Sequence, residues 1–235
     1  EIHILVSHTH WDHIQGLPFF SPLYEAGNKI QIYGRQREVH LEDIFRTQSA
    51  APYFSHHLDE VAARVSYVEL IEGASFELGK VLVTCARLNH PDIAIGYRLE
   101  ADGAAVAYVA DTAPFDRILF EHKFLSSQPE SLPSGEEAAY LAELKRGVIN
   151  LCAGADLVIF DTMFSPEEYE SHPHWGHATA LHAIELAHEA GAAALALFHY
   201  SPTATDEELD EMVKDLNRWS PVKVIASREA ETIAL

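Results

Sequence analysis

The sequence predicts an α/β protein of mixed sheets with helices packed outside them. Three observations predict it. Short apolar runs of strand length recur along the chain, among them Ile2 to Val6, Val81 to Leu88 and Ala193 to Phe198. Longer segments of helical pattern lie between them, notably Glu136 to Cys152 and Asp206 to Trp219. Glycine, proline and an Asp-Gly pair punctuate the series, so strands, hairpins and helices are interspersed.

The elements follow in order. Ile2 to Val6 is a buried strand ending at Ser7, and His8 to Gly16 is a polar, histidine-rich loop at its end. Ile30 to Tyr33 is a short strand, and Arg35 to Arg46 continues as a helix. Thr47 to Glu60 has no clear period and is a surface excursion. Val65 to Ile71, Ser75 to Leu78 and Val81 to Leu88 are strands separated by Gly73 and Gly79. Ile93 to Glu100 and Ala104 to Ala110 flank Ala101-Asp102-Gly103, whose Asp-Gly pair favours a tight hairpin. Phe115 to Gly135 is variable in character and broken by Pro129 and Pro133. Glu136 to Cys152 is a helix and Asp156 to Asp161 a buried strand. Ala178 to Glu189 is a helix closed by Gly191. Ala193 to Phe198 is a strand, Asp206 to Trp219 a helix and Val222 to Ala226 a last strand. No linker divides the chain, so one domain over 1–235 is expected.

Composition bounds the function. The chain has 235 residues, 48% of them hydrophobic, and a formal charge of −20, which is globular usage. Such an acidic balance disfavours a broad nucleic-acid or anionic-membrane surface, because those need clustered Lys and Arg. No run of about 18 apolar residues occurs. The start, Glu1 to Ser7, lacks the basic region of a secretory leader and opens directly in a strand, so a processed or truncated N-terminus is expected. Cys85 and Cys152 cannot build a disulfide framework and fit a reducing cytoplasm. The 15 histidines are nearly as many as the 16 Lys and Arg together, and histidine is a common metal ligand.

Their spacing carries the chemistry. His8-Thr9-His10-Trp11-Asp12-His13 sets four candidate ligands within six residues, just after an apolar strand. In extended backbone, residues i and i+2 point the same way, so His8 and His10 grip one ion together. If the chain then turns into a helix, Asp12 and His13 swing to a neighbouring point. Further ligands are expected at other strand ends, where loops meet at one edge of a sheet: His90 before Pro91, Asp111 before Thr112, and His199 before Tyr200-Ser201-Pro202.

The series His8-x-His10-x-Asp12-His13, then His90, Asp111 and His199, resembles the metallo-β-lactamase fold superfamily over nearly the whole chain. The resemblance implies an αββα four-layer sandwich of two mixed β-sheets flanked by helices, with metals at the sheet edges. It implies that His8, His10 and His90 hold one metal, that Asp12, His13 and His199 hold a second, and that Asp111 bridges them. It also implies strands upstream of the first metal loop, of which only Ile2 to Val6 is present. Gly176-His177-Ala178-Thr179 and Phe198-His199-Tyr200-Ser201-Pro202 are similar to the tRNase Z-like phosphodiesterase branch. His177 is expected at the N-terminus of a helix, where free N–H groups favour phosphate oxygens.

The expected function is metal-dependent hydrolysis of a cyclic nucleotide or small nucleotide phosphodiester by a hydroxide bridging a dinuclear metal site, with Asp12 and His177 as catalytic residues and His177 also gripping substrate. The ligand set suits two zinc ions and admits manganese or iron. Alternatives are tRNA 3′ processing, another superfamily hydrolysis of a lactone, thioester or β-lactam, and a non-catalytic metal-bound scaffold. Extended nucleic acid and membrane are disfavoured as partners, and a homodimer is implied by the resemblance. Bland readings suit the remaining residues: His56-His57 as a surface pair, Cys85 and Cys152 as buried inert thiols, and His3, His40, His122, His182 and His188 as structural. Trp11 either walls the site or packs beneath it.

Overall fold

Residues 2–5 are half-buried except His3 and pair as strand, and the same local logic builds two sheets in a computed structural model that describes residues 1–55, 57–116 and 135–235. His56, His122, Pro129 and Pro133 lie outside the described residues. The chain divides into two units, Glu1–Ala74 and Ser75–Leu235.

The first unit holds β1 (Ile2–Leu5), α1 (Trp11–Ile14), β2 (Lys29–Arg35), α2 (Leu41–Gln48) and β3 (Arg64–Leu70). Its three strands form a parallel sheet in the order β1-β2-β3, with Ile4 opposite Ile32 and Ile32 opposite Tyr67. Parallel neighbours need a crossover, which α1 and α2 help to supply. The strand period of two sends Ile30 and Ile32 into a core with Leu23, Leu41 and Phe45. Each such side chain contributes about 1.5–3 kcal/mol by leaving water.

The helix expected from Arg35 begins only at Leu41. Arg35 still pairs with Leu70 in the sheet, and the Gln36 N–H donates to the Leu70 carbonyl. The Glu69 carboxylate then accepts the Leu41 N–H at 3.0 Å and starts the helix there. Sheet pairing thus overrides the helical pattern of the intervening residues.

The second unit holds β4 (Ser75–Leu78), β5 (Val81–Arg87), β6 (Ile95–Ala101), β7 (Ala104–Val109), α3 (Gly135–Cys152), β8 (Leu157–Asp161), α4 (Pro166–Ser171), α5 (Ala180–Glu189), β9 (Ala194–Phe198), α6 (Asp206–Leu216) and β10 (Lys223–Ala226). One mixed sheet runs β10-β9-β8-β7-β6-β5-β4. β4 to β7 form an antiparallel meander, and β7 to β10 are parallel. Asp102 and Gly103 have φ of 53° and 86°, the double left-handed turn that matches strand twist. α3 packs on β5, β6 and β7, α5 on β8 and β9, and α6 on β10. The core between them includes Val148, Val158, Phe160, Ile184, Leu195 and Leu197.

Helix α4 is an element that the sequence pattern did not predict. Ser165 caps it, accepting the Glu168 N–H while the Glu168 carboxylate accepts the Ser165 N–H, a reciprocal pairing that stabilises a short helix start. The fold class is α/β with two sheets and helices, as expected. Among the described residues, no helix is long and apolar enough to cross a membrane.

Topology now places chemistry. Parallel strands end side by side, and β5 points the same way as β7 because two antiparallel steps separate them. Register sets Val109 opposite Phe160 and Asp161 opposite Phe198. Asp111, Asp161, His199 and His90 therefore emerge from strand ends at one edge of this sheet. Open α/β sheets bind ligands outside such carboxyl ends.

Candidate functional site

In the second unit, Asp111 and Asp161 are buried carboxylates facing three imidazoles. The Asp111 Oδ2 lies 3.9 Å from His90 Nε2 and 3.9 Å from His177 Nδ1. Its Oδ1 lies 3.6 Å from His199 Nε2. Ligand atoms of Asp111, Asp161, His177 and His199 all lie within 4.8 Å of one another. Burying two acids together is costly unless positive charge or hydrogen-bond donors surround them.

The rings are held in defined orientations. His90 donates from Nδ1 to the Gly176 carbonyl at 3.0 Å, which leaves Nε2 as the atom toward Asp111. Gly176 has φ of +90°, and a Cβ there would lie 2.5 Å from His90 Nδ1 and 2.4 Å from Pro91 Cδ. Only glycine lets the backbone approach His90 this closely. His199 adopts φ of 58°, uncommon outside glycine, and its ring stacks on His177 at 4.9 Å.

Asp161 is the residue that sequence reasoning missed. Its carboxylate accepts the His177 Nδ1–H at 2.8 Å, the Thr112 N–H at 3.1 Å and the Met163 N–H at 3.1 Å. Complete burial pushes its carboxyl pKa up, while the His177 hydrogen bond and charge pull it down. The available signal was the one that found Asp111: a lone acid closing an apolar strand, here Leu-Val-Ile-Phe-Asp.

His177 does not begin a helix. Thr179 caps α5, and His182, three residues on, accepts the Thr179 N–H through Nδ1. The helix therefore starts beyond His177, which is buried and committed to Asp161 instead. His182 is the structural histidine expected, in a capping pair.

In the first unit, β1 delivers the histidine loop. Ser7 Oγ lies 3.2 Å from His8 Nδ1, and His8 Nε2 lies 3.0 Å from His10 Nδ1. The chain then enters α1, inside the span the pattern read as loop, and brings His13 within 4.2 Å of the His8 ring by centroid. Asp12 Oδ2 lies 3.3 Å from His13 Nε2. Arg37 donates to Thr9 Oγ1 at 2.9 Å and steadies the loop. Trp11 is exposed.

The cluster around Asp111 fits a divalent cation. Two ligand atoms about 2.0–2.1 Å from one ion at a tetrahedral angle stand roughly 3.3–3.4 Å apart. The 3.6 and 3.9 Å separations around Asp111 exceed hydrogen-bond length but lie near that spacing. The donor set of imidazole and carboxylate suits zinc, manganese or iron. Elsewhere the bland readings stand: His3 bonds Tyr33, His40 pairs with Glu69 at the surface, and Cys85 and Cys152 are buried.

Comparison with known proteins adds relatives. Residues 2–124 match the family described as Beta-lactamase superfamily domain. Ribonuclease Z of Streptococcus pyogenes serotype M5 (strain Manfredo) is 27% identical, aligned over 90% of this chain and 75% of its own length. The solved structure of human tRNase Z, short form, has a TM-score of 0.64 at 20% identity, covering 99% of this chain and 78% of that one. A structure described as a new diphosphatase from the PhnP family has a TM-score of 0.62 at 18% identity, covering 99% and 71%. At these identities the two solved structures speak for the fold.

Proposed function

Because this chain belongs to the metallo-β-lactamase superfamily, on its tRNase Z-like branch, we propose that it hydrolyses small phosphodiesters, with nucleotide diesters as the substrate class. His8, His10 and His90 would hold one divalent ion, Asp12, His13 and His199 a second, and Asp111 both, with zinc the first choice. When bound, such ions polarise phosphoryl oxygens and bring the pKa of a water toward neutrality. The observation that carries the reading is the 2.8 Å bond between His177 and a completely buried Asp161, beside Asp111.

That bond defines the roles of the protein's own groups. Asp161 fixes the His177 tautomer with hydrogen on Nδ1, so Nε2 is the atom offered to substrate. Protonated, His177 gives the Nε2 proton to the departing oxygen as the P–O bond breaks, while Asp161 balances the imidazolium charge. Asp12, exposed beside His13, orients the attacking water and accepts its hydrogen bond.

The test is direct. Protein loaded with Zn²⁺ or Mn²⁺ should cleave bis-p-nitrophenyl phosphate, and His177→Ala should lose most of that turnover at unchanged metal content. Robust lactone, thioester or lactam hydrolysis without phosphodiester turnover refutes the proposal. A scaffold without catalysis would show no turnover on any of these.

A second reading, tRNA 3′ processing, is favoured by the ribonuclease Z relatives. The charge of −20 opposes a bulky RNA partner, whose binding relies on Lys and Arg. Cleavage of a tRNA precursor at physiological salt would establish it in place of the small-diester reading.

A further inference from the structure

We propose that Trp175 is a stacking platform for a planar aromatic group of the substrate, of nucleobase type, and so sets specificity beside His177. The inference rests on the phosphodiesterase reading and names the part of the substrate that lies beyond the phosphate.

Segment 172–180 is buried or half-buried at every position except Trp175. That tryptophan leaves 41% of its surface open, although an indole is among the costliest side chains to leave in water. Its placement is rigid. The Trp175 N–H donates to the His172 carbonyl at 3.1 Å, and its ring meets His172 edge-on at 4.7 Å. Phe164 lies 6.0 Å from the Trp175 ring and 5.7 Å from the His177 ring. One phenyl therefore links the exposed indole to the candidate proton donor. Gly176, the residue between them, is pinned against His90 by its carbonyl and by the absence of a side chain. The indole thus stands two residues from His177, and the Gly176 carbonyl between them is held by the His90 ring.

This arrangement matches the chemistry of an aromatic diester. Every nucleobase has a π-face, and stacking on a fixed aromatic ring needs no charge. A chain of −20 gains little from long-range attraction of phosphates, so an uncharged stacking surface is a suitable source of affinity. A pre-ordered indole loses little entropy when the base lands on it.

The experiment measures binding and turnover in metal-loaded protein carrying Trp175→Ala or Trp175→Phe. Calorimetric titration with adenosine 5′-monophosphate is compared with methyl phosphate, which has no ring. Trp175→Ala should weaken the nucleotide about tenfold, the scale of losing one base stack, and leave methyl phosphate unchanged. Trp175→Phe should retain most of the nucleotide affinity. In kinetics with bis-p-nitrophenyl phosphate, Trp175→Ala should raise KM and spare kcat. Equal weakening of both ligands, no weakening of either, or no nucleotide binding by the wild type overturns the inference. A drop in sedimentation mass in Trp175→Ala without a ligand-selective effect assigns the indole to an interface between copies and also overturns it. If the wild type turns over no phosphodiester yet the ligand-selective loss appears, the reaction reading fails while the stacking site stands.

Discussion

Replacing Gly176 by alanine tests whether the segment before α5 holds the His90 ring in place. The added methyl would lie 2.4 Å from Pro91 Cδ, 2.5 Å from His90 Nδ1 and 3.1 Å from His90 Cε1, at a φ of +90°. The backbone conformation alone costs an L-residue about 1–2 kcal/mol. Forcing a methyl into a filled space adds about 1–3 kcal/mol, for a total of about 2–5 kcal/mol. In a chain of this size each kcal/mol moves the melting midpoint by about 2–4 °C, so a fall of about 4–20 °C is expected. His90 cannot shift without lengthening its 3.0 Å bond to the Gly176 carbonyl, so metal retained after dialysis should fall as well. Gly147 is the control. It lies within α3, and an added methyl there would meet no atom within 4 Å, so alanine should stabilise by about 0.5–1 kcal/mol. The measurements are a melt followed by circular dichroism and metal content per chain. A Gly176→Ala midpoint within about 2 °C of wild type, with full metal content, refutes the reasoning.

Three further outcomes are expected. Asp161→Asn keeps the shape but offers one acceptor oxygen where the carboxylate accepts three N–H groups. It should lower kcat on the order of 10²–10⁴ at unchanged metal content, and a loss under about threefold refutes the role given to Asp161. The Glu69 carboxyl is held below its ordinary range, first by the Leu41 N–H and then by His40. Its stabilisation is therefore present above the ordinary carboxylate range and lost as pH falls through the lowered value. The gap in melting midpoint between wild type and Glu69→Gln should narrow as pH drops from about 6 to about 3, and a constant gap counts against it. Burial pushes the Cys152 thiol up to about 12, and Cys85 is buried too. Neither should react with a chromogenic thiol reagent at about pH 8 until the chain is unfolded.

Much of the candidate site was legible because its residues announce themselves locally. His8, His10, Asp12 and His13 are adjacent in the chain, and the strand-then-helix geometry that groups them needs only short-range rules. His90, Asp111 and His199 each stand at the end of an apolar run. Asp161 carries the same signal yet reads locally as the last residue of its strand, because nothing nearby shows that its partner is His177, sixteen residues away. The Ser165-Pro166-Glu167-Glu168 start of α4 is a capping pattern, easily overlooked beside the histidines.

Strand and helix identities, the hairpin at Asp102-Gly103 and the histidine loop followed from periodicity and turn chemistry, which act within a few residues. Where α2 begins, which ring nitrogen of His90 is free, and why residue 176 must be glycine were settled only by partners distant in sequence: Leu70 and Glu69, the Gly176 carbonyl, and the His90 ring. Hydrogen bonds and steric exclusion depend on distance in space, and chain order does not encode that until the strands have paired.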